Sequence, residues 1–193
     1  QIKFGDVTLQ TKWFSEAQAL GQSNPSQFTT LTEMYIAYFN RAPDAVGLDY
    51  WASNIYEGQT TSQVARSFSG SPEAIATFVT VSSNSTSTEL TTFVNGVYKN
   101  VLNRSSDVDG LVYWVTQLKT GSVAPGDFIL AIISSVNAQT GTPDKTYVSS
   151  KASVGAHFAV TNGLTDTTQA KNVMTTFNST YTSSGATAAI SAA

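Results

Sequence analysis

The chain has 193 residues, enough for one substantial core or two small ones, and its 41% hydrophobic content is that of a folded globular protein. Charged residues supply only 12%, with 10 basic against 13 acidic side chains, so no basic footprint exists for a run of phosphates and nucleic-acid binding is set aside. Cysteine is absent, which excludes disulfides, thiolate catalysis and cysteine-ligated metals; Ser and Thr make up roughly a quarter of the chain and carry its solubility.

Residues 1–27 read as an N-terminal segment in which IKFGDVTL alternates weakly and predicts a short strand. The opening QIKFGDVTLQ has no charged-then-apolar leader pattern, and no stretch approaches the roughly 18–20 apolar residues of a membrane span. Residues 28–85 form a first helical repeat. Leu31, Met34, Tyr35 and Tyr38 share one helical face, and Thr30 with Glu33 is expected to cap that helix as a reciprocal capping box. NRAPD then makes a short connection, after which Leu48, Trp51, Ala52 and Ile55 mark a second helix closed by Gly58. A further short helix follows, and Ser71, Pro72 and Glu73 start another. The Ser/Thr-rich stretch 81–90 joins this repeat to the next.

Residues 86–140 repeat the scheme. NRAPDAVGLDYW at 40–51 returns as NRSSDVDGLVYW at 103–114, a constant 63 positions later. The upstream stripe is Val94, Val97, Tyr98 and Val101 behind a Thr86–Glu89 capping box; the downstream one is Leu111, Trp114, Val115 and Leu118, closed by Gly121. Residues 141–193 read as a helical closing segment. Tyr147, Val154 and Phe158 share a face there, another helix follows Asn162-Gly163, and the small residues of SSGATAAISAA end the chain helical or frayed. The expected fold is all-α: two tandem related helical repeats with a helical C-terminal cap.

Each residue of the repeated motif has a local physical role. Asp44 and Asp107 are placed to cap the following helix through its free N–H groups. Gly47 and Gly110 cost helix propensity, which predicts a first turn that approaches another backbone closely. Arg41 and Arg104 can bond the last carbonyls of the preceding helix or clamp the capping Asp three positions on. Trp51 and Trp114 lie on the apolar stripes and are expected in the core.

The pattern Asn-Arg-x-x-Asp-x-x-Gly-Leu-x-Tyr-Trp, with Gly about seven residues later, resembles a bacterial helical family catalogued as a domain of unknown function, number 4214. The resemblance covers roughly residues 28–137. It implies a secreted or cell-surface context, since such domains recur in S-layer, RTX-type exported and adhesin-like proteins, and it implies no known activity. A more distant likeness is to the helical linker domains of phycobilisomes, which also join assemblies. The Gly-Gly-x-Gly-x-Asp nonapeptide of RTX proteins is absent from the sequence.

The leading expectation is a non-enzymatic extracellular structural module, S-layer-like or filament-forming, or its anchoring region, with itself as partner. The rival is a monomeric glycan-binding module for lipopolysaccharide or exopolysaccharide. Its candidate residues are Tyr35, Tyr38, Tyr50 and Tyr113, with Trp13 beside them, lining a groove. No cofactor is expected except calcium, for which Asp107 and Asp109 resemble the start of a binding loop that lacks its closing bidentate Glu. His157 has no nucleophile motif around it, and the acids Glu33, Asp44, Asp49 and Glu57 read as caps or solvated faces, so no catalytic residue is assigned.

Overall fold

The computed structural model describes residues 16–181 in full, together with the backbone of 2–4, 7–9 and 11–15. In place of one strand at the start there are two, β1 (Ile2–Phe4) and β2 (Val7–Leu9), paired antiparallel with Ile2 opposite Leu9. The rest is all-α. Helix α1 (Thr11–Ser23), which the sequence pattern did not reveal, buries Ala17 and Leu20. The Trp13 side chain and the stretch after Tyr181 lie outside the described residues.

The first repeat contains α2 (Pro25–Phe39), α3 (Ala45–Tyr56), α4 (Thr61–Ser69) and α5 (Pro72–Thr77). Helix α2 begins five residues before the expected box: Asn24 caps it by accepting from the Gln27 N–H, and Pro25 opens the first turn, where its missing donor costs nothing. Thr30 and Glu33 are therefore interior, and Glu33 is buried at 3% exposure, so it neither caps nor faces solvent. Every residue from Leu31 to Phe39 is buried, more than the single stripe expected. A helix enclosed all round is central, and α2 packs on α1, α3, α4, α5, α6, α8 and α9.

The second repeat contains α6 (Ser87–Leu102), α7 (Val108–Lys119) and α8 (Pro125–Asn137). Thr86 and Glu89 make the reciprocal capping box. Gly58 and Gly121 follow their helices with φ of 105° and 72°, a conformation that glycine adopts without a Cβ penalty. Helix α9 (Pro143–Ala156) runs into a π-helical turn (His157–Thr161), and α10 (Thr167–Thr180), capped by Asp166, closes the fold. Like elements of the two repeats meet: α2 packs on α6 and α4 on α8, with Asn100 Nδ2 donating to the Ala37 carbonyl at 3.4 Å and Arg66 paired with Asp127 at 3.0 Å. Both repeats and the closing segment share one continuous apolar core.

Candidate functional site

The twice-written motif builds two equivalent helix corners. Helices α2 and α6 end in Asn40 and Asn103, both left-handed with φ of 49° and 54°, a conformation Asn tolerates better than most residues; each donates its N–H to the carbonyl four residues back. Asp44 and Asp107 then cap α3 and α7, each accepting from a glycine N–H at 2.8 Å, Gly47 and Gly110. The close approach at each glycine comes from a side chain, not from the expected backbone. A Cβ on Gly47 would lie 2.4 Å from the Tyr35 hydroxyl, and one on Gly110 3.0 Å from that of Tyr98.

The arginines clamp these corners more widely than the sequence suggested. Arg41 donates to the Ala42 carbonyl and Asp44, and reaches Glu73 through Nε and Nη2 at 2.8 and 3.1 Å. Arg104 donates to the Ser105 carbonyl, lies 3.8 Å from Asp107, and reaches Asp144 through the same two nitrogens. Burial works against the Arg41 charge, but Glu73 and Asp44 outweigh it and raise its pKa. Asp107 is held below the usual carboxylate range, first by the Gly110 N–H. Each guanidinium lies over an aromatic ring, Arg41 over Tyr35 and Phe39 and Arg104 over Tyr98, at 5.3–5.5 Å.

Glu73 and Asp144 were missed as partners, though a signal was present. Ser71-Pro72-Glu73 and Thr142-Pro143-Asp144 both write cap, Pro, acid, and the acid of each helix start faces the arginine of one corner.

Of the glycan candidates, Tyr35 and Tyr38 are corrected: they are 3% and 1% exposed and present no ring face to a ligand. Long stripes bury whole helices when neighbours pack from several sides, which a single-face reading underestimates. Burial pushes both phenols well above their ordinary range, and Tyr38 donates to the Gly126 carbonyl at 2.9 Å. Tyr50 and Tyr113 stand at the surface, 58% and 54% exposed, each edge-on to its neighbouring tryptophan at 5.0 and 4.8 Å. Trp51 is half-buried and Trp114 buried; they abut Phe68 and Phe128 respectively, at 5.2 and 5.4 Å. The Trp114 indole N–H donates to the Tyr98 hydroxyl.

For the calcium candidates, Asp109 is exposed on the first turn of α7, and among the described residues no group of three or more His, Cys, Asp or Glu gathers. Asp49, expected on a solvated face, is 4% exposed and accepts from the Ala17 N–H at 3.0 Å.

A second polar cluster lies behind α2. Glu33 Oε2 accepts from Asn137 Nδ2 at 2.7 Å while Oε1 is buried without a hydrogen-bond partner, and Lys145 donates to Asn137 Oδ1. Burial raises Glu33 to about 7 against the pull of Asn137 and Lys145. Lys151, 1% exposed, lines the same small void as Glu33 and donates to the Asn100 carbonyl at 2.8 Å; burial lowers it to about 7. Two surface clefts are lined by residues of both repeats. One of about 290 Å³ is apolar, between Phe78, Phe93, Ile129 and Ile75; the other, about 500 Å³, is lined by Ser26, Thr29, Thr30, Ser134, Asn137 and Lys145.

Among the described residues no helix is long and apolar enough to cross a membrane. No curated protein matches the chain, and no solved structure does. The family model described as Domain of unknown function (DUF4214) matches it twice, over residues 14–78 and 80–141, which takes in most of α1, all of α2 through α8 and both corners. With two matches that together span most of its length, the chain belongs to the DUF4214 family and carries two copies of the domain.

Proposed function

We propose that the chain is a non-enzymatic structural module working outside the cell or at its surface, an S-layer-like or filament-forming subunit or the anchoring region of one. The observation that carries this reading is the use of the motif's polar groups. Arg41, Asp44, Arg104 and Asp107 are spent on one another, on Glu73 and Asp144, and on backbone groups, so the most distinctive residues of the chain act as architecture. A surface poor in charge and rich in hydroxyls supports assembly, because few like charges are brought together and Ser, Thr and Asn groups bridge partners or waters.

The glycan-binding reading draws on one specific feature, the exposed Tyr50 and Tyr113 at equivalent places on α3 and α7. A flat sugar face packs on such rings while its hydroxyls stay solvated.

Light scattering of the purified chain, with and without calcium and with and without envelope polysaccharide, separates the two. Growth into large regular particles without glycan is expected. A monomer that changes only on adding polysaccharide, and loses that response in Tyr50→Ala/Tyr113→Ala, would replace assembly with glycan binding.

A further inference from the structure

The buried Glu33 carboxyl is only half satisfied. Its Oε2 accepts from Asn137 at 2.7 Å, while Oε1 is bonded by no group among the described residues. A buried polar atom in that condition costs about 1–3 kcal/mol, and more when the group is charged. Glu33 lines a void whose other walls are Ile36, Ala37, Val101, Ile133, Val148 and Lys151. Asn137 is not among these walls, so the oxygen on the void's side is Oε1. Each of the seven residues is at most 4% exposed, which shuts the space off from bulk solvent. Five of them carry side chains that neither donate nor accept. Lys151 is the other polar wall. Its ammonium has three N–H groups and spends one on the Asn100 carbonyl at 2.8 Å, with the Tyr147 ring 5.6 Å away. Among the ion pairs of the described residues none joins it to Glu33.

We propose that this void is the binding site of one ordered water molecule, which bridges Glu33 Oε1 to Lys151 Nζ. Its volume, about 10 Å³, is that of a single water. Two polar partners meet the minimum for a buried water, and the apolar remainder of the wall fixes its place between them. The protonation chemistry of the two groups also selects water. Burial raises Glu33 and lowers Lys151, each to about 7, so both change charge over the same range. An ionised Oε1 needs a donor and a protonated one needs an acceptor; water supplies either, as it does for an ammonium or an amine at Lys151. The bridge joins the closing segment to the two matched domains. Glu33 sits on α2, and Lys151 on α9, beyond residue 141 where the second family match ends. Asn137 of α8 and Asn100 of α6 extend the same polar seam into the second repeat. The proposal depends on neither assembly nor glycan binding.

A crystal structure of the full native chain, at a resolution that shows ordered water, tests the site directly. A peak about 2.7–3.2 Å from both Glu33 Oε1 and Lys151 Nζ is expected. A direct Glu33–Lys151 ion pair, a peak bonded to only one of them, or no peak in the void would overturn the proposal. Water cross-relaxation by NMR, read at the Ala37 methyl on the void wall, gives a second readout in solution. The signal is expected in the native chain and in Glu33→Gln, whose amide keeps an oxygen and has no exchanging carboxyl proton. It is expected to vanish in Lys151→Met, which removes one partner. Its absence from the native chain, or its persistence in Lys151→Met, would also overturn the bridge. Both native-chain readouts decide the matter even where Lys151→Met does not fold.

Discussion

At the scale of single residues, the corner motif is a set of mutual constraints, and its glycine is the most revealing member. Alanine at an ordinary helical glycine gains up to about 1 kcal/mol in propensity. At position 47 the added Cβ would meet the buried Tyr35 hydroxyl at 2.4 Å, so the tyrosine or the helix must shift. Overpacking of this kind costs about 1–3 kcal/mol. Gly47→Ala is therefore expected to destabilise the chain by that amount in denaturant titrations, while Tyr35→Phe, which removes the closest obstructing atom and leaves the Asp44 carboxylate at 3.0 Å, lowers the cost of the same substitution. Gly110→Ala is expected to cost less, because its nearest contact is 3.0 Å. An equal cost for Gly47→Ala in both backgrounds would sink the explanation. The sequence made the glycine conspicuous, since it sits in the first turn of a helix. It could not name the obstacle, because Tyr35 is brought there by the turn through Asn40 and not by any local spacing.

At the scale of elements, the sequence was most legible where chemistry is local. Capping depends on three or four consecutive residues, so Asp44, Asp107 and the Thr86–Glu89 box could be read without tertiary information. Thr30–Glu33 shows the failure of the same rule: the box was written, but Asn24-Pro25 upstream had already started the helix and packing carried it through. Thr86→Ala is accordingly expected to cost about 1 kcal/mol through loss of the cap. Thr30→Ala should lack that penalty, and helix α2 should begin at the same residue by hydrogen exchange; a shift of its start to residue 31 would contradict the placement. Helix α1 was illegible for a different reason. Its described buried side chains, Ala17 and Leu20, are too few to set a period, and it is held by α3, whose matching face lies some thirty residues away in sequence.

At the scale of the molecule, two repeats and a cap share one core, and this places two ionisable groups where neither repeat alone would bury them. Glu33 lies among Asn137 of α8 and Lys145 of α9, and Lys151 of α9 faces Tyr147, the Asn100 carbonyl and Lys99 of α6. Their effects on stability have opposite slopes. Glu33 has an ordinary value of 4.5 and a folded value of about 7, so between these the folded chain holds the extra proton and stability falls as pH rises. Lys151 moves from 10.5 to about 7, so between these the unfolded chain holds the extra proton and stability rises with pH. Together they predict a contribution that is lowest near neutrality. The Glu33 part amounts to about 2–3 kcal/mol across its window. Thermal unfolding of the native chain and of Glu33→Gln and Lys151→Met, from pH 4.5 to 10.5, checks both slopes. The difference between native and Glu33→Gln should turn against the native chain as pH rises to about 7 and then level off; that for Lys151→Met should recover above about 7. Differences that stay flat across both windows would mean that the shared core leaves these groups solvated, and that the repeats are joined less tightly than their packing implies.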